Sequence, residues 1–333
     1  MNRDLWARRL SRMIGKENVC RLQSKLKYFL SFRNEYGFKR LTNVNMVGGG
    51  KKTAIFFIDG KTIHGGLSDR LRGLFSTYYY CLKESIDFKV YWIYPFKLQD
   101  YLEPNKVNWL VEAKDISYNR NAAAFRFFSS YSLMNNNERS FFKIMHTRKP
   151  ELHVYSNVTL HEELYYTFFN DLFKPSKILA DSLQHNMEKI GGKYISVAFR
   201  FIGILGDFED TNFHKELETG EKEKYISKCL DVIRRLKSKH SDILKVLVTS
   251  DSPVFLERAS QLTFVYVIPG TVAHMDNVNK NMKHADLKTF LDMLMISKAE
   301  YCYSYSYGKM FKGTKFARTS ALIGNRKFIE ITE

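Results

Sequence analysis

The sequence predicts an α/β protein of two doubly wound, Rossmann-like domains. Three observations carry that expectation. Apolar runs of strand length alternate with longer stretches of helical spacing, glycine or small-residue turns follow several of those runs, and 333 residues suffice for two domains of ordinary size. The composition, 44% hydrophobic and 26% charged, is that of a chain that folds throughout. The expected division is a basic amphipathic segment over 1–46, an acceptor-side α/β domain over 47–190 and a ligand-binding α/β domain over 191–333.

In the first segment Arg3, Arg8, Arg9, Arg12, Lys16, Arg21, Lys25 and Lys27 alternate with Leu5, Trp6, Leu10, Met13, Ile14, Leu22, Leu26 and Phe29 at helical spacing. Two readings stand side by side: an interfacial helix on an anionic membrane, or a surface helix packed on its own protein. Lys51 to Asp59 reads as a buried strand, the stretch His64 to Gly73 as a glycine turn, Leu74 to Ser85 as helix and Phe88 to Ile93 as a second strand. That order builds a parallel sheet with covering helices. Tyr118 to Asn137, rich in Asn, Ser and aromatic residues without a period, predicts an irregular surface or an acceptor-facing region. Leu160 to Lys189 is helical with a break at Pro175, and Gly191-Gly192 marks the crossover.

The second domain follows as strand Tyr194 to Phe199, helix Thr219 to Lys239, strand Leu244 to Thr249, a helix from near Pro253, strand Phe264 to Ile268 and helix Asp286 to Ser297. A last strand, Glu300 to Tyr303, leads into a small-residue turn, Ser304 to Gly308. Ligands bind at such carboxyl ends of parallel strands.

The apolar runs fall far short of the roughly 20 residues needed to span a bilayer. No apolar h-region with a cleavage site follows the basic N-terminus, so a cytoplasmic protein is expected. Cys20, Cys81, Cys229 and Cys302 lie far apart, in neither zinc nor disulfide spacing. A net charge of +17 calls for an anionic partner: a nucleotide diphosphate, an anionic lipid surface or a polyanion. Nucleic acid would suit the charge, but no nucleic-acid-binding motif occurs and that partner is not expected.

Several residues stand where an anion site would form. Gly65 and Gly66 permit close backbone approach before a helix whose amides face a phosphate, and Arg70 and Arg72 add charge. The competing reading is a tight turn with solvated arginines. Arg200 ends an apolar strand, where a guanidinium makes bidentate bonds to a diphosphate or pairs with Asp207 or Glu209.

The string Gly65 to Gly73 (GGLSDRLRG) resembles the N-terminal signature of the GDP-fucose-dependent fucosyltransferases, the superfamily of the nodulation, core-fucosylating and protein O-fucosylating enzymes. Leu172 to Ser176 resembles the segment leading into their donor domain, and Val197 to Phe201 (VAFRF) resembles the His-x-Arg signature that ends its first strand. The arginine is kept as Arg200, whereas Ala198 stands at the histidine and Phe201 where many members carry a second arginine. Leu247 to Pro253 resembles the Ala-Thr-Asp-Asp segment, with Asp251 matching an aspartate that can accept bonds from guanine. An N-cap role before Pro253 is the equal alternative. Asp292 with Ser304 and Ser306 resembles the acid and serine turn lining the donor pocket.

The resemblance implies a GT-B fold and inverting transfer of fucose from GDP-fucose to a glycan. The donor contacts would be Gly65, Gly66, Arg70, Arg72, Arg200, Asp251, Asp292, Ser304 and Ser306. Asp207, in the carboxylate-rich loop after Arg200, is the first candidate for general base. No Asp-x-Asp pair occurs, so no metal or other cofactor is expected. A basic N-terminus on the inner face of a membrane would suit a lipid-linked oligosaccharide acceptor in surface polysaccharide biosynthesis.

Overall fold

The computed structural model describes residues 50–333 apart from 63, 120, 129–136, 209–215 and 272–284. The basic segment over 1–46, Cys20 within it, and Glu209 and Asp210 lie outside the described residues.

The first half is built from β1 (Thr53–Ile58), α1 (Leu67–Glu84), β2 (Asp87–Trp92), β3 (Leu102–Pro104), β4 (Ala123–Phe128), α2 (Glu138–Met145), β5 (Glu151–Ser156), α3 (Tyr165–Leu172), β6 (Phe173–Pro175) and α4 (Lys177–Ile190). Its sheet is fully parallel in the order β2-β1-β5-β4. β1, TAIFFI, is buried along its whole length, as the central strand of such a sheet must be. Helix α1 comes very close to the end of β5, because Gly73 faces the Ser156 carbonyl where an added Cβ would lie 1.9 Å from the oxygen.

The second half contains β7 (Tyr194–Phe199), α5 (Thr219–Lys239), β8 (Lys245–Ser250), α6 (Pro253–Ser260), β9 (Val265–Tyr266), α7 (Ala285–Lys298), β10 (Tyr301–Ser306), α8 (Lys315–Ile323) and β11 (Lys327–Thr332). Its sheet, β11-β10-β7-β8-β9, is also fully parallel. With β7 first in sequence and central in space, the strand order reverses between β7 and β10.

Several boundaries differ from expectation. The stretch read as irregular contains β4, whose alternation is hidden because aromatic rings occupy both of its faces. Phe125 meets Tyr155 at 5.5 Å on one, and Phe128 meets Phe141 at 5.1 Å on the other. Ser304 and Ser306 lie within β10 rather than in a turn. The strand continues because Tyr303 and Tyr305 bury their rings in the core while β7 and β11 pair on either side. The break at Pro175 is a short strand, β6, antiparallel to β3. Strand β9 is only two residues long, and α8 and β11 extend the alternation beyond the expected last turn.

One core cluster runs through both halves, joining Leu74, Phe75 and Phe168 to Phe290, Met293 and Ile323. Phe290 of α7 lies between Phe96 (5.6 Å) and Tyr101 (4.8 Å), and α8 packs against α1 and α3. A second cluster fills the far face of the β7 sheet beneath α5 and α6.

Candidate functional site

The reversal of strand order between β7 and β10 leaves a crevice at their carboxyl ends, the place where doubly wound sheets take nucleotides. Arg200 is the first residue past β7. Its carbonyl accepts the N–H of Phe311 (3.0 Å) and its half-buried guanidinium lies 5.7 Å from the Phe311 ring centre. The facing loop, 307–311, is shaped from behind by α5. The Tyr225 hydroxyl accepts the Lys309 N–H at 3.0 Å, and Gly308, at φ +54°, has room only for hydrogen, since a Cβ would lie 2.4 Å from that hydroxyl. Lys228 stacks on Tyr307 at 3.9 Å. Helix α8 starts just beyond, which brings the positive end of its dipole to the same edge. Ser304 pairs with Ala198, and Ser306 is tied to Thr332 Oγ1 at 3.3 Å, so both serines are buried in the sheet floor.

The carboxylates near Arg200 face the backbone. Asp251 accepts the N–H groups of Phe201 (2.7 Å) and Ile202 (2.8 Å). Burial pushes its carboxyl above the usual range, against the pull of the Arg200 guanidinium and those two amides. Asp207 accepts the Ser252 hydroxyl (2.6 Å) and the Val254 N–H (2.9 Å), and Ser252 in turn caps α6 by accepting the Phe255 N–H at 3.1 Å. The first amides of α6 are thus taken by the protein's own side chains.

Asp292 lies on α7, where both of its oxygens accept from Lys288 at 2.9 Å. The pair is buried, burial raises the Asp292 carboxyl, and Lys288 opposes that rise. The Lys288 chain runs against Gly270, in the loop after β9. Between that loop and α6 lies an open cleft of about 470 Å³, lined by Pro253, Leu256, Glu257, Val267, Pro269 and Gly270 among others. It lies toward the β9 edge of the sheet, on the side of β7 away from β10.

No family model and no curated protein matches the sequence. Solved structures do match. NodZ alpha-1,6-fucosyltransferase soaked with GDP-fucose aligns at TM-score 0.52 and 15% identity over 82% of this chain and 93% of that one. Fucosyltransferase NodZ from Bradyrhizobium aligns at 0.53 and 16% over the same shares, 82% and 93%. A mutant of Arabidopsis thaliana FUT1 in complex with GDP aligns at 0.54 and 12% over 92% of this chain and 78% of that one. The chain has the GT-B fold of the fucosyltransferases.

In the first half, Gly66 begins α1 without a side-chain cap, and Gly65 takes φ +84°. Arg70 is fully buried and binds the carbonyls of Gly65 (3.0 Å) and Tyr94 (2.9 Å), which fastens the ends of β1 and β2 together. Arg72 binds Thr159 Oγ1 (3.0 Å) and Asp69. The structure therefore gathers Arg200, Asp251, Asp207, Ser304 and Ser306 at one edge, sets Gly65, Gly66, Arg70 and Arg72 in the other half, and places Asp292 on α7, whose Asp286 feels the charge of Arg70. Sequence reasoning missed Tyr225, Phe311 and Lys288. Lys288 could have been found from its i,i+4 spacing to Asp292, whereas nothing local marks the other two.

Among the described residues no group of His, Cys, Asp and Glu could hold a metal ion, and no helix is long and apolar enough to cross a membrane.

Proposed function

We propose that this GT-B protein is a glycosyltransferase that takes a sugar from a guanosine diphosphate donor, fucose being the expected sugar, and passes it to a glycan hydroxyl with inversion and without metal. The observation that carries this reading is Arg200, held at the mouth of the β7–β10 crevice with the 307–311 loop and the start of α8 facing it. A leaving diphosphate needs positive groups already in place as its charge develops. Arg200 supplies a bidentate cation, while the α8 end adds an oriented dipole. The nucleoside would extend toward the cleft between α6 and the loop after β9. Both NodZ soaked with GDP-fucose and FUT1 in complex with GDP share the fold, which supports the choice of nucleotide. The glycan would approach from the wall formed by Gly65, Gly66 and Tyr94, with a lipid-linked oligosaccharide as the acceptor that suits a basic N-terminus.

Calorimetry with GDP, GDP-fucose, GDP-mannose and UDP-glucose tests this directly. Selective binding of the guanine compounds, weakened at least about tenfold by Arg200→Ala, is the expected result. Absence of binding by the parent protein sinks it.

A second reading, donor binding without transfer, is favoured by one observation. Phe201, at the place of the second arginine, is a core residue packed on Phe255 at 5.0 Å, and Ala198 offers no side chain to the reaction. Release of free fucose from GDP-fucose by the parent protein, abolished in Arg200→Ala, would exclude it.

A further inference from the structure

The segment from Arg200 to Phe208 is fastened to the end of β8 in both directions. Asp251 reaches back to the amides of Phe201 and Ile202, and Asp207 reaches forward to Ser252 and the first turn of α6. Between these fastenings the backbone is strained. Ile202, a β-branched residue, sits at φ +50°, in the left-handed region that such residues rarely adopt. Gly203 and Gly206 both adopt φ +81°, and a Cβ at Gly203 would lie 2.7 Å from the Phe208 carbonyl oxygen. Strain of this kind persists only where the surroundings over-determine it, and it collects at functional sites.

Asp251 does not act as the helix cap, because Ser252 already fills that role. A buried carboxylate, 7% exposed, is costly to keep unless it is fully used. Here it is spent on the two amides directly after Arg200, one of them the strained residue's own. Resting on the reading that Arg200 meets the donor diphosphate, we propose that Asp251 and Asp207 are positioning residues that aim Arg200 into the crevice by locking the Ile202 turn. Asp251 fills the amides of Phe201 and Ile202, so they are closed to an incoming phosphate. The donor is therefore met by the Arg200 side chain and not by this stretch of backbone.

The test combines GDP calorimetry with amide hydrogen exchange of the ligand-free protein, on the parent, Asp251→Asn, Asp207→Asn, Arg200→Ala and the Arg200→Ala/Asp251→Asn double variant. Asp251→Asn should speed exchange across 201–206 and weaken GDP binding about tenfold. In the Arg200→Ala background it should change GDP affinity less than about twofold, because its effect passes through that arginine. Adding Ile202→Gly, which takes φ +50° without strain, should restore much of the affinity lost in Asp251→Asn. Full multiplication of the two single effects, or weaker GDP binding with unchanged exchange, overturns the proposal and makes Asp251 a direct donor contact. Asp207→Asn reads the same lock if Asp251→Asn does not fold, and unchanged exchange there overturns it as well. If the parent binds no GDP, the donor reading fails while exchange still decides the lock: unchanged protection in Asp251→Asn overturns it.

Discussion

His64 lies just ahead of α1 with 3% of its surface exposed, its Nε2 2.7 Å from Thr62 Oγ1 and its ring stacked on Tyr155 at 6.0 Å. Burial first, and the charge of Arg70 second, push its pKa down from 6.5 to about 3. The folded state therefore holds His64 neutral through mild acid while the unfolded chain takes up a proton. The stability this represents is fully present above pH 6.5 and drains away as the pH falls from 6.5 toward 3. By pH 5 the loss amounts to about 2 kcal/mol, rising to at most about 5 kcal/mol near pH 3. A neutral replacement, His64→Gln, should lower stability at pH 7.5 but remove this share of the acid slope. Urea unfolding of both proteins at pH 7.5, 6.5, 5.5 and 5.0 measures it. The difference between parent and variant should shrink by about 2 kcal/mol across that range. A constant difference at every pH would show that His64 is protonated in the folded state as readily as in the unfolded chain, and would refute the reasoning.

Two other predictions concern the crevice and the helix beside it. Gly308→Ala places a methyl 2.4 Å from the Tyr225 hydroxyl at φ +54°, so the 307–311 loop must move; GDP binding should fall at least about tenfold, and adding Tyr225→Phe should recover part of it in the same calorimetric assay. Lys288→Met leaves Asp292 buried without its cation and should destabilise the protein by about 3–5 kcal/mol in urea unfolding. Replacing both, as Lys288→Met with Asp292→Leu, should cost far less, and an equal cost for both variants would mean the pair is not acting as one unit.

Elements whose pattern is local could be read from the chain. Tyr194–Phe199 and Thr219–Lys239 were expected with the boundaries they have, one as an unbroken apolar run, the other as an apolar stripe on a charged helix. β5 escaped notice because Glu151, His153 and Tyr155 make it look polar. In the fold these side chains are buried with partners: Glu151 binds His153 and the Ser117 N–H, while Tyr155 reaches Asp59. Such partners are invisible to periodicity. Likewise β4 hides its alternation behind aromatic residues on both faces.

At the site itself, an arginine ending an apolar strand is a local signal, and so is a pair of glycines ahead of a helix. The class of fold and the place of Arg200 at a strand's carboxyl end are legible in the chain, because both follow from the order of apolar runs and turns. What each carboxylate touches depends on how the strands assemble. Asp251 reaches residues 50 and 49 positions away, and Asp207 residues 45 and 47 away. These contacts exist because β8 lies beside β7 in register, Phe199 against Ser250, so that the segments leaving the two strands emerge together. A hydrogen bond across such a separation is set by sheet register, and register is a property of the assembled sheet.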